Sequence, residues 1–272
     1  MADSAVMRLE EMLPEVVSFE ERGVFTKEEL KNIMGMRRKY EYSIASRSAS
    51  LQDYMRYIDH EIKLEIDRRE RFEKLNIKKE GPRDFTIVQR VHFLFGRCLS
   101  KYSADIAVWK KCLEFCVNSG SSAAMARTLM RAIKRHPRVA EFRIMAADRE
   151  LQLGGLVGSR KQLMLAVRAK TDNRCLIWEQ LFKLECVALH RQVTKNTLLV
   201  AEKSEVPEET QRVVSAQTAV VVVRHGLRDL ADLGKVEAFR AFCKEALESL
   251  EMSILGYPEP ANMESLREII NS

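Results

Sequence analysis

Apolar residues in the first quarter of the chain recur at helical intervals and are punctuated by cap signals. A first helix is expected from about Ala5 to Glu21, with Pro14 as a kink or break and Gly23 as its stop. Thr26-Lys27-Glu28-Glu29 reads as a capping box, in which hydroxyl and carboxylate each satisfy the other residue's amide. The helix it opens carries Leu30, Ile33, Met34 and Tyr40 at helical spacing and runs to about Ser43. Ser50-Leu51-Gln52-Asp53 starts a third, longer helix reaching about Leu75, and 77–84, with Lys78, Lys79, Gly81 and Pro82, reads as a connection.

From Phe85 the pattern repeats. Trp109, Phe142 and Trp178 follow one another at intervals of 33 and 36, and Leu129-Met130-Arg131-Ala132-Ile133 returns 34 positions later as Leu163-Met164-Leu165-Ala166-Val167. Small-residue turns at 118–121 and 154–158 separate paired helical segments. Two helices per unit and a period near 34 are the signature of a helical-hairpin solenoid, whose units bury their apolar faces only by stacking. The apolar stretch from Val213 to Leu230, including the run Val220–Val223, fits a buried helix; 256–260 ends another, and Met263 to Asn271 forms a short last one.

Within each unit the same offsets recur. Tyr54, Tyr57 and Glu61 share one helix face, as do Trp178, Leu181 and Glu185; Trp109, Cys112 and Cys116 repeat the geometry with a thiol in place of the acid. With Phe142 these aromatics are the expected repeat core. The acid is expected to pair with an arginine on a neighbouring helix, Arg127 or Arg160.

Composition agrees with this reading. Gly and Pro number only 11 and 6 in 272 residues, and Leu, Met, Ala, Glu, Lys and Arg dominate many segments. The net charge of +6 and pI near 9.0 permit an acidic or nucleic-acid partner without requiring one, because 39 acidic residues dilute the field. The six cysteines lie in helix-like apolar patterns and read as reduced thiols of an intracellular protein. No stretch reaches the roughly 18 apolar residues of a membrane span, and acidic Asp3, Glu10 and Glu11 argue against a leader.

The candidate chemistries fail on their own spacing. Cys112 and Cys116, with His92 and Cys98 upstream, sit at core positions of a helix instead of on the turns that carry zinc-binding cysteine pairs. The glycines at 154–158 lack the Gly-Lys-Ser/Thr of a phosphate loop. His60-Glu61 has no second histidine one turn on, and no acidic pair suggests acid–base work. No catalytic, cofactor or metal residues are therefore assigned. Arg127, Arg131, Lys134, Arg135 and Arg138 line one side of a second-position helix and its following turn. They are either RNA-phosphate contacts or a solvated face with Arg127 engaged in the repeat. Arg68, Arg69, Arg71, Lys74, Lys78 and Lys79 form a weaker cluster interleaved with Glu65, Glu70 and Glu73.

Two resemblances follow from these residues. Trp109-x-x-Cys112-x-x-Phe115-Cys116, Ala126-Arg127-x-Leu129-Met130-Arg131-Ala132-Ile133, His136-Pro137 and Trp178-x-x-Leu181-x-x-Leu184-Glu185 resemble the half-a-TPR (HAT) repeat of RNA-processing proteins. Upstream, 11–15, 23–29, 37–42, Tyr54-Met55-Arg56-Tyr57-Ile58-Asp59-His60-Glu61 and 90–95 resemble the sixth family of U-three small nucleolar RNA-associated proteins, a HAT-repeat subunit family of the UTP-B complex. The resemblance implies an all-α fold: a right-handed hairpin solenoid of HAT repeats (81–200) after an N-terminal helical segment (1–80), with further helices or a cap at 201–272. It also implies a non-catalytic nucleolar scaffold in the small-subunit processome. Its partners would be other UTP-B subunits, mostly β-propellers, with the 5′ external transcribed spacer and the U-three RNA nearby, and neither membrane nor small-molecule substrate.

Overall fold

The computed structural model describes residues 2–77, 82–202 and 215–272. Among these residues every regular element is helical, and sheet-type pairing is limited to one isolated bridge between Ser215 and Ala261. The all-α helical-repeat expectation holds. By packing, the chain divides into two compact units, Met1–Thr128 and Leu129–Ser272.

The first unit holds α1 (Ala2–Glu10), α2 (Leu13–Glu21), α3 (Lys27–Ala45), α4 (Leu51–Lys74), a 3-10 turn (Pro82–Phe85), α5 (Thr86–Lys101) and α6 (Ile106–Asn118). Helix α7 (Ser122–Arg135) crosses the boundary in sequence. The segment from Ala5 to Glu21 is thus two helices. Pro14 lies in the first turn of α2, where its missing N–H costs nothing; a helix continuing from α1 would drive its ring into the preceding turn. The expected capping box at Thr26 is present, and a second opens α4. The Glu29 amide donates to the Thr26 hydroxyl at 3.3 Å while the Thr26 amide donates to Glu29 at 2.7 Å, and Ser50 and Asp53 repeat the exchange at the start of α4. Of the connection at 77–84, residues 78–81 lie outside the described residues. Successive helices pack α3 on α4, α4 on α5 and α5 on α6, while α1 covers α3. Phe19, Val24, Phe25, Leu30, Leu64, Phe72 and Ile87 form an apolar core at one side of this unit.

The second unit continues α7 and adds α8 (Ala140–Gln152), α9 (Leu156–Arg168), α10 (Arg174–Glu202), α11 (Gln217–Ala231), α12 (Val236–Ser253) and α13 (Met263–Asn271). The repeat register is visible in burial. Leu129 and Leu163 are 3% and 2% exposed and Ala132 and Ala166 both 0%, whereas Met130 and Met164 face outward at 69% and 38%. The expected turns close as left-handed glycine caps. Gly120 (φ +66°) donates to the Val117 carbonyl at 3.0 Å and Gly154 (φ +85°) to that of Leu151 at 3.0 Å, left-handed conformations that glycine adopts without the Cβ penalty. Asp172, in the turn after α9, caps α8 by accepting the Ala140 amide at 3.0 Å. The apolar stretch from Val213 yields α11, with 213–214 outside the described residues. At the centre of this unit Trp178, Leu181, Phe182, Leu230 and Phe239 pack together, and Gly226 of α11 lets the Phe239 ring approach closely.

Candidate functional site

Helix α3 places two charges on its buried stripe: Leu30, Arg37, Glu41 and Ile44 all face inward. Arg37 is 1% exposed and grips Glu61 of α4 with two parallel bonds, Nε to Oε1 and Nη2 to Oε2, each 2.8 Å. Its remaining nitrogen, Nη1, donates to Glu15 of α2 at 3.1 Å. Glu15 also accepts from Arg90 of α5 and, at 3.0 Å, from the Thr86 hydroxyl. Arg90 returns to Glu61 at 3.5 Å, closing a four-membered ring of alternating charge drawn from four helices. Burial pushes the Glu61 carboxyl up, but Arg37, His60 and Arg90 together outweigh it and hold the group at about 2. Burial likewise opposes ionisation of Arg37, and Glu61 and Glu15 raise it above its ordinary value.

A second node lies beside the ring. Glu41 accepts from Arg97 of α5 at 3.0 Å and from Arg8 of α1 at 3.3 Å. Tyr57, on the Glu61 face, stacks on Tyr40 with ring centroids 5.2 Å apart, and burial beside Glu61 and Glu41 keeps its phenol protonated. Tyr54, Tyr57 and Glu61 are all buried. The partner of Glu61 is Arg37, however, which sequence reasoning grouped only with a family motif. The signal was present: Arg37 and Glu41 fall seven and eleven residues after Leu30, on the stripe that should be apolar.

In the second unit the repeat acid behaves as expected. Glu185 is buried and receives two bonds from Arg160 of α9, at 2.7 and 2.8 Å. Trp178 donates its indole N–H to Asp229 at 2.9 Å, and Leu181 and Phe142 are fully buried. In α6 the acid position carries Cys116. Trp109, Cys112 and Cys116 are buried together, and the Cys116 thiol is lowered to about 5 by a hydrogen bond from Cys112, opposed by burial and aided by His92. A thiol whose ionisation is favoured thus takes the position that Glu61 and Glu185 hold elsewhere. Burial pushes Cys98 the other way, to about 11. Among the described residues no group of three or more His, Cys, Asp or Glu side chains converges as metal ligands, and no helix is long and apolar enough to cross a membrane.

The basic candidates separate into two kinds. Arg127, Arg131, Lys134 and Arg135 of α7 and Arg138 in the turn beyond are all exposed. Arg68 and Arg69 instead bond Glu65 at 2.7–2.8 Å, and Arg71 bonds Glu29 at 2.8 Å and the Val24 carbonyl at 3.1 Å. The bonds of Arg68 and Arg69 to Glu65 lie within α4, whereas Arg71 joins α4 to the start of α3; Lys78 and Lys79 of the same cluster lie outside the described residues.

Residues 9–90 match the family described as U3 small nucleolar RNA-associated protein 6, the family that the sequence motifs resemble. The chain is 29% identical over 220 residues to the protein of that name from Schizosaccharomyces pombe, covering 80% of this chain and 45% of that protein. It is 29% identical over 206 residues to the Mus musculus homolog, covering 75% and 32%, and 24% identical over 232 residues to the Homo sapiens homolog, covering 84% and 38%. The chain therefore spans less than half the length of these relatives. The matched segment contains Glu15, Arg37, Glu41, Glu61 and Arg90, the acids and guanidiniums of the buried network.

Proposed function

We propose, from its likeness to U3 small nucleolar RNA-associated protein 6, that this chain is a non-catalytic scaffold of the nucleolar particle in which U3 RNA acts on the primary ribosomal transcript. On this reading it is a HAT-repeat subunit of the UTP-B complex within the small-subunit processome. It would hold neighbouring, mostly β-propeller, subunits in place while the small-subunit RNA matures.

The observation that carries the reading is the engagement of the family-type charges. Glu15, Arg37, Glu61 and Arg90 pair with one another, in a site from which solvent is nearly excluded. Groups held in this way set the register of helices and are not available to bind or turn over a substrate. What such a fold offers partners is the outer surface of its paired helices. The test is co-precipitation of the tagged chain from nuclear extract, with U3 RNA and pre-ribosomal transcript measured by hybridisation and proteins by mass spectrometry. Enrichment of U3 RNA together with propeller subunits supports the scaffold; recovery of the chain without either overturns it.

A second reading, direct contact with pre-ribosomal or small nucleolar RNA, is favoured by the exposed basic side of α7. Lys134→Glu, Arg135→Glu and Arg138→Glu together should weaken binding to a spacer transcript and flatten its salt dependence by about three phosphate contacts. An unchanged salt slope would remove this reading and leave the scaffold intact.

A further inference from the structure

Helices α10 and α12 of the second unit leave a groove of about 480 Å³ between them. Its floor is apolar: Val187 comes from α10, and Phe242, Ala246 and Leu250 from α12. Its rims differ in charge. On α10, Lys183, His190 and Arg191 line the groove, spaced so that they share the side of the helix that carries Val187. On α12 the charged lining residue is Glu245. Two other acids near this part of α10 are engaged: Glu185 is held by Arg160, and Glu179 accepts from the Cys175 thiol at 3.2 Å. Asp148 of α8 is exposed; partial burial raises its carboxyl and the nearby Lys183 draws it down. Among the described residues neither Lys183 nor Arg191 forms an ion pair within 4.0 Å.

We propose that this groove docks an acidic amphipathic helix of a partner protein, its apolar face on Val187, Phe242 and Ala246 and its carboxylates against Lys183, His190 and Arg191. The proposal rests on the scaffold reading and deepens it by stating the chemistry of one partner segment. A helix laid between two helices buries an apolar stripe, and a one-sided basic rim then fixes its orientation by charge complementarity. Nucleic acid fits less well: the floor is aliphatic apart from the partly covered Phe242 ring, so it offers no exposed aromatic face for a base to stack on.

The test uses the full chain and fluorescence anisotropy with dye-labelled peptides of about fourteen residues, four helical turns. One carries leucines on one face and glutamates beside them, a second replaces the glutamates by lysines, and a third replaces the leucines by serines; an oligouridine is the nucleic-acid probe. The acidic leucine peptide should bind about tenfold more tightly than either variant. Ala246→Trp, which fills the floor, should abolish that margin. Lys183→Glu with Arg191→Glu, both at exposed positions, should turn the preference toward the lysine peptide without lowering the melting temperature. Equal binding of the lysine or serine peptide overturns the proposal, as does binding that ignores both sets of substitutions, or displacement of the peptide by oligouridine. A chain that recovers U3 RNA and propeller subunits yet binds no peptide loses the groove alone; a chain that binds the acidic peptide but recovers neither loses the processome assignment alone.

Discussion

Arg37 and Glu61 meet through two parallel 2.8 Å bonds with side chains 1% and 0% exposed, so each charge depends on the other for its solvation. Removing one partner strips the other of its two-bond counter-ion and leaves it the weaker contact to Glu15 or Arg90, which costs about 3–5 kcal/mol. Arg37→Met and Glu61→Leu should each destabilise the chain by that order in urea unfolding, and the double variant by clearly less than their sum, with a coupling of roughly 1–3 kcal/mol. Additive losses would mean that the pair is not a functional unit of the fold.

The same pair sets an acid limit. The folded carboxyl of Glu61 sits at about 2 against an ordinary value of 4.5. A depressed acid stabilises the folded state above its ordinary value, and that contribution drains away as pH falls from 4.5 toward 2. It amounts to on the order of 3 kcal/mol. Urea midpoints measured through this range should fall steeply for the parent chain and more gently for Glu61→Gln; parallel curves would contradict the assignment.

Cys116 predicts the analogous behaviour nearer neutrality. With its thiol lowered to about 5 by Cys112 and His92, thiolate ultraviolet absorbance should persist at neutral pH, fade on titration through about pH 5, and vanish in Cys116→Ser. The stability gap between the parent and Cys116→Ala should widen as pH rises from 5 toward the ordinary thiol range, because the folded state binds the proton less tightly. Alkylation should nevertheless be slow, since the side chain is 1% exposed.

Two glycines should respond oppositely to alanine. A Cβ on Gly226 would lie 2.7 Å from the Phe239 ring, which is fully buried and has nowhere to move. Gly226→Ala should cost about 1–3 kcal/mol through overpacking, less whatever helix propensity returns. Gly35 of α3 has open space around it, so Gly35→Ala should stabilise by about 0.5–1 kcal/mol. Thermal melts of the two variants check both signs at once.

Legibility in the sequence followed the range of the interaction. Thr26 and Ser50 were readable as caps because the bonded groups are three residues apart. Arg160 was readable as a partner of Glu185 because the repeat spacing fixes which helices adjoin. The ring of Glu15, Arg37, Glu61 and Arg90 was not, since its bonds span 22 to 75 residues and Arg37 stands in a run, Arg37-Arg38-Lys39, that looks solvated. Periodicity labels a charge as outward-facing by default, and only an opposite charge on another helix reverses the label. Cys116 was legible as a core position, but its ionisation depends on Cys112 one turn away and on His92 of α5, and spacing does not encode that.

The closed ring also constrains how this protein can change over generations. Each of its four charges is costly to lose alone, because the loss leaves two neighbours short of a buried counter-charge, and costly to reverse unless the others reverse with it. Glu15, Arg37, Glu61 and Arg90 should therefore be inherited as a block, appearing or disappearing together in descendants whose other surface charges drift freely.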